Sequence, residues 1–282
     1  MAGPRKKRTV EQKPDSNSSE SEAENMEVEG TLEADFEGRN PDASDFHGIQ
    51  QLLKQLFLKA HINLTQLSDM IIAQQGIGSV LKQSMDDDDD EDEDDDSNSN
   101  DVFGITTIIN LTANNENECV KQLFEALKTL AQKHASKEIE EQLNSILTND
   151  NKKLGLLLNE RFINIPAKIA DPLMDSLQNE IERIAKKNPS YNFDYFLMIC
   201  KTYKQLNKEK KDEGILFINA EEEIFAKASD VSFEFSVANE TDTGVGGLWT
   251  EDDKQMIPQR RVLVINAQKL PNIVQNVKTF VA

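Results

Sequence analysis

Two cysteines, three histidines, three tyrosines and one tryptophan in 282 residues leave few side chains for redox, metal or nucleophilic chemistry. Cys119 and Cys200 lie in apolar helix-like and strand-like runs. One unpatterned pair in a chain of this length does not make a disulfide framework, so reduced intracellular thiols are expected. His47, His61 and His134 are far apart, and none stands at metal-ligand spacing from a cysteine or an acidic residue, which argues against a structural zinc site. The chain has no G-x-S-x-G elbow, and neither cysteine shows a local sign of thiolate activation. No stretch approaches the roughly 18 apolar residues of a membrane span. The start MAGPRKKRTV has basic residues with no apolar run after them, so it is not read as a secretory signal. The expectation is a soluble chain with no resident metal or cofactor and no membrane partner.

What the chain has in excess is acid, at a formal net charge of −20, and the excess is unevenly spread. Residues 15–45 hold eleven acidic side chains against Arg39 alone, a net −10. Asp86, Asp87, Asp88, Asp89, Asp90, Glu91, Asp92, Glu93, Asp94, Asp95 and Asp96 form an uninterrupted run of −11. The first fourteen residues carry +4, which leaves only −3 for everything else. Acidity therefore belongs to appendages, which act through long-range fields on cationic partners and repel DNA and anionic membranes. The run 86–96 mimics polyphosphate and is the candidate client-binding tract; a solubilising loop is the plain alternative. Arg5, Lys6, Lys7 and Arg8 read as a nuclear import signal, with a solvated tail as the alternative. Ser19 and Ser21 each precede a glutamate by three residues and are phosphorylation candidates for an acid-directed kinase.

Hydropathy patterning predicts a disordered arm over residues 1–30 and a folded domain over 31–282, interrupted by an acidic loop insertion at 84–101. A weak strand is expected at 31–36, then a helix capped by Asp45 that carries Ile49, Leu52, Leu53, Leu56 and Phe57. A second helix carries Leu64, Leu67, Ile71 and Ile72. Beyond the acidic run the pattern predicts a strand at 103–111, helices along Val120–Leu130 and Ile139–Leu147, and a buried strand at 154–158. Asp171 and Pro172 then open a helix, followed by strands at 195–200, 215–218, 231–237 and 262–265, and by a closing helix through Ile273 and Val277. Alternation of this kind implies the α/β class: a single mixed sheet flanked by helices, with disordered acidic segments.

Four constellations bear on chemistry. Gly244, Gly246 and Gly247 lack a following Lys-Ser/Thr and lead into carboxylates, so they read as a turn rather than a phosphate loop. Gln74-Gln75-Gly76-Ile77-Gly78 approaches the Q/R-x-x-G-x-G/A pyrophosphate loop of acetyltransferases, but the required Gln or Arg falls on Ala73. Glu221-Glu222-Glu223 reads as a solvated edge, since acid–base work would need a buried member with a raised pKa. Lys208, Lys210 and Lys211 have no interleaved aromatics, so direct nucleic-acid binding is not expected.

The segments QQLLKQLFLKAHINLTQLSDMIIAQQGIGSVLKQ, GLLLNERFINIPAKIADPL, NAEEEIF, DTGVGGLWTEDD and PQRRVLVI, taken in order from residue 45 to the end, resemble the BCCIP family. The resemblance implies an acetyltransferase-like fold without the activity, and a nuclear adaptor and chaperone that shuttles to the cytoplasm. Its implied partners are a basic large-subunit ribosomal protein, a breast-cancer-susceptibility recombination protein and a cyclin-dependent kinase inhibitor. A scaffold in DNA repair, cell-cycle control or microtubule organisation stays open beside a chaperone of ribosome biogenesis, and an acyltransferase is the rival from another class.

Overall fold

In the computed structural model, which describes residues 35–84, 101–206, 211–240 and 255–282, apolar periodicity resolves into two kinds of surface, single-faced helices and double-faced strands. The elements run β1 (Phe36–Arg39), α1 (Phe46–Phe57), α2 (Leu64–Ile72), β2 (Ser79–Gln83), β3 (Gly104–Asn110), α3 (Glu118–His134), α4 (Lys137–Leu147), β4 (Leu154–Arg161), α5 (Ala170–Ala185), β5 (Tyr195–Leu206), β6 (Asp212–Phe217), α6 (Glu222–Ala228), β7 (Val231–Ser236), β8 (Gln255–Asn266) and α7 (Leu270–Val281). All belong to one unit, Ala34–Ala282. None of the described helices is long and apolar enough to cross a membrane.

The strands make one mixed sheet in the order β1-β2-β3-β4-β5-β8-β7, with β6 joined to β5 off that path. Only β4 and β5 pair in parallel; the other pairs are antiparallel. Helices α1 to α4 cover one face, where Ile49, Leu53, Leu67, Leu123 and Leu143 pack on Leu156, Leu158, Leu197 and Val264. Helices α5 to α7 cover the other, where Met174, Leu177, Phe225 and Val277 pack on Leu157, Phe196, Met198 and Leu263. Burial on both faces is why β3 and β4 are buried at every position and why Ile108–Ile109 and Leu156–Leu158 read as apolar runs. The single mixed sheet between helices is the architecture expected from the sequence.

Three local readings change. The first described strand is Phe36–Arg39, while residues 31–34 of the strand expected at 31–36 lie outside the described residues. Asp45 stands at the N-cap position of α1, but its side chain makes no capping bond there; its carboxylate is fully buried, accepts from the Asp42 amide at 2.9 Å and pairs with Lys82 at 2.6 Å. That pair explains the third difference, the unexpected β2, in which a lysine sits 3 % exposed because a carboxylate neutralises it. The glycines before β2 serve the sheet. They leave a helix and enter a strand, and the Gly78 amide donates to Glu180 of α5 at 2.7 Å, so a side chain of the protein already takes the hydrogen bond that a phosphate would need. A Cβ on Gly78 (φ +82°) would lie 2.1 Å from Thr107 Oγ1, so only glycine lets β2 approach β3 here.

Candidate functional site

A groove opens where α1 ends against the sheet. The last turn of α1 leaves carbonyls without helical partners. Arg260 of β8 fills that need, with Nη2 donating to Gln55 O at 2.7 Å and Nε to Leu56 O at 2.9 Å. Leu58 then turns the chain with φ +51°, the one positive φ outside glycine among the described residues. Residues 59–62 run along one wall, while Leu123, Ala126, Leu127 and Leu130 of α3 form the other. Ile199, Phe235 and Val237 supply the floor. The two walls are tied where the Asn63 amide donates to Gln122 Oε1 at 2.7 Å. The cavity is about 500 Å³, within the usual range of ligand and anchor pockets. Its lining is mostly aliphatic and aromatic, with Lys59, His61, Lys121, Glu125 and Glu240 at the rim. Such a surface is suited to apolar anchor side chains of a protein partner.

On the sheet itself, the parallel pair splits. β4 and β5 are in register only from Leu154↔Tyr195 to Leu157↔Met198, after which β5 takes β6 as its neighbour from Thr202↔Phe217 onward. The space between the diverging strands is filled from within. Ile218 N donates to Lys201 O at 3.0 Å, and Asn219 Nδ2 donates to Asn159 O at 2.8 Å, replacing the ladder bonds that a further strand would make. Glu221 forms a two-pronged ion pair with Arg161, Nη2 to Oε2 at 2.7 Å and Nη1 to Oε1 shorter still. Asn159 Nδ2 donates to Glu221 Oε1 at 2.9 Å, Asn219 Nδ2 to Glu222 Oε1 at 2.9 Å, and Lys201 pairs with Glu160 at 2.6 Å.

Glu221 and Glu222 are fully buried, so the expected solvated edge is wrong for both and right only for Glu223, which is exposed and pairs with Lys227. Burial, reinforced by the neighbouring charges of Glu160 and Glu221, pushes the Glu222 carboxyl well above the usual range. Burial also raises Glu160, against the pull of Lys201. The Cys200 thiol is driven well up by burial and by Glu222, and the Cys119 thiol up by burial, so both are held in the unreactive protonated form. Among the described residues no three His, Cys, Asp or Glu side chains are grouped to hold a metal ion.

The other sequence candidates fall outside the described residues: the import candidates Arg5 to Arg8, the phosphorylation candidates Ser19 and Ser21, the acidic run 86–96, and the glycine turn at 244–247. What is described is where the acidic run is anchored. It lies between β2 and β3, which pair with each other through Ser79↔Thr106, Val80↔Ile105 and Leu81↔Gly104. The place of the groove and the Arg260 contacts are not legible in the sequence, because they join residues about two hundred positions apart.

Comparison with known proteins agrees with this architecture. The family model described as BCCIP matches residues 31–229. A Drosophila melanogaster protein named Protein BCCIP homolog is 42% identical over 252 residues, covering 89% of this chain and 85% of the fly protein. The Homo sapiens protein named BRCA2 and CDKN1A-interacting protein is 36% identical over 264 residues, covering 90% of this chain and 83% of its own length. The crystal structure of BCP1 from Saccharomyces cerevisiae superposes with a TM-score of 0.57 at 18% identity, covering 91% of this chain and 94% of the yeast chain, which is a likeness of fold.

Proposed function

This chain belongs to the BCCIP family, and from that premise we propose that it is a non-enzymatic nuclear protein-binding factor, an adaptor or chaperone for basic client proteins. The apolar groove carries the proposal: it offers anchor space about 500 Å³ in size behind a mostly apolar lining. The filled gap between β4 and β5 speaks in the same direction. There Asn219, Glu221 and Glu222 of the chain itself occupy the space between the diverging strands.

The acidic run 86–96 contributes encounter rate, and the groove contributes residence time. A large-subunit ribosomal protein, whose RNA-binding surface is cationic, is the client chemistry that suits the run. The import candidates Arg5 to Arg8 supply the nuclear address. A scaffold role in recombination repair or cell-cycle control has its own observation in its favour, since the human relative is named for interaction with BRCA2 and CDKN1A.

The test uses the full chain and a basic ribosomal protein in stopped flow. Screening length falls from about 10 Å at 0.1 M salt to about 3 Å at 1 M, so association is expected to slow steeply with salt, and replacing residues 86–96 with Ser/Gly should remove that slope. Ala126→Glu in the groove wall should instead speed dissociation. Unchanged association after the Ser/Gly replacement would reduce the run to a solubilising loop. Saturable binding of acetyl-coenzyme A by calorimetry would revive the acyltransferase.

A further inference from the structure

We propose that the free edge of β6 takes an extended, apolar segment of a partner protein as a further strand, with an aromatic side chain set opposite Gly214. The site is separate from the groove, which no residue of β6 lines. Hydrogen-bond parity identifies the groups on offer. Ile218 N donates to Lys201 O, which continues the β5–β6 register by one pair and makes that pair a bonded one. Bonded and non-bonded pairs alternate in an antiparallel ladder, so Leu216↔Tyr203 is bonded, while Ile215↔Lys204 and Phe217↔Thr202 are not. The N–H and C=O of Ile215 and Phe217 therefore point away from β5. The same parity holds across β5: Tyr203 stands opposite Pro258, which has no N–H to give, and Pro258 O turns outward to accept from Val237 N. Among the described strands, β6 pairs with β5 alone.

The outer strands of the main path are blunted in ways that β6 is not. β1 carries Glu37 and Arg39, and β7 alternates through Ser232, Glu234 and Ser236, with Glu234 paired to Arg261 at 3.1 Å. From Gly214 to Phe217, β6 holds neither a charge nor a proline. Ile215 is 36% exposed and Leu216 46%, so two of the four large hydrophobic side chains exposed among the described residues stand on this one strand. Alternation puts Gly214 and Leu216 on one face and Ile215 on the other. A Cβ at Gly214 would meet nothing within 4 Å, which leaves open surface beside Leu216. An aromatic ring on the next strand is the side chain that covers a glycine at a sheet edge.

Charge and size choose the occupant. Asp212 Oδ2 pairs with Lys204 at 2.7 Å and its Oδ1 accepts from Gly214 N at 2.9 Å, so the carboxylate beside the open stretch is already satisfied within β5 and β6. A cationic ligand gains little there, and the partner segment is apolar, unlike the basic client drawn by the acidic run. A second copy of this chain, pairing edge to edge, would bring one six-residue strand per side, against the about 20–30 residues a side of a stable interface. A single extended peptide needs only main-chain bonds and contacts to alternate side chains.

The probe is a fluorescein-labelled peptide, Ser-Ile-Val-Tyr-Thr-Ser, whose antiparallel register sets valine against Ile215 and tyrosine against Gly214. Titration with the full chain should raise its anisotropy to saturation, equally at about 0.1 M and about 1 M salt. Glycine in place of the tyrosine should weaken binding severalfold. Leu216→Lys, a change at an exposed position, should do the same. In hydrogen exchange the Ile215 amide should be open in the free protein and become protected by the peptide, while the Leu216 amide, already bonded to Tyr203, changes little. Anisotropy that stays flat overturns the proposal, as does binding that leaves the Ile215 amide unprotected or that vanishes in high salt. So does an Ile215 amide protected without peptide: protection that grows with protein concentration makes a second copy the occupant, and protection at every concentration makes it a segment of the same chain.

Discussion

Glu222 shows how far neighbours in sequence can differ in fate. Its carboxyl is raised first by burial and then by Glu160 and Glu221, so the native state holds its proton more tightly than the unfolded chain does. The stabilising contribution of that proton is present in acid, below the ordinary carboxylate range, and is lost as pH rises from that range through the raised native value. Glu222→Gln keeps an acceptor for Asn219 and Asn159 and removes the titration. Urea unfolding at pH 5 and pH 8 should therefore show a smaller loss of stability with rising pH in the variant than in the unaltered protein. Equal losses would mean that Glu222 is ionised in both states. The position of this residue was partly legible. At helical spacing Glu221 and Glu222 stand four and three residues before the buried Phe225, on its face, while Glu223 turns outward to Lys227. The charge triplet hid that period, and no local pattern announces Arg161, sixty residues away.

At the scale of elements, helices were the readable part, because apolar stripes such as Leu123, Leu127 and Ala131 need only one covered face. β2 was not readable. Its five residues include Lys82 and Gln83, and its place in the sheet depends on Asp45 neutralising the lysine from another element. The join between α2 and β2 is the most exacting of these contacts. Gly78 has φ +82° and stands against Thr107 with no room for a methyl group, so Gly78→Ala combines backbone strain with a clash against β3. Chemical denaturation should show a loss of about 2–4 kcal/mol, the scale of a strained and overpacked core site. A loss under about 1 kcal/mol would show that β2 shifts away from β3 at little cost.

For the whole molecule, the concentration of acid in the run 86–96 is legible from counting alone, but the count that leaves −3 sets aside residues 35–45, whose strand β1 and buried Asp45 belong to the folded unit. The filled gap is not legible, because it assembles Asn159, Lys201 and the Asn219–Glu222 segment from three places in the chain. Because β2 and β3 pair directly on either side of the acidic run, the run is expected to contribute little to folding. Replacing residues 86–96 with Ser/Gly should change unfolding free energy by less than about 1 kcal/mol at physiological salt, as for other solvated surface changes. A larger loss would place those carboxylates in contact with the body. β8 stands between β5 and β7 although it follows both in chain order. Until it leaves the translation machinery, the nascent chain holds two strands with no common neighbour, and their unsatisfied edges are open to passing polypeptides. A premature stop before Gln255 would therefore yield an aggregating fragment rather than a smaller working protein.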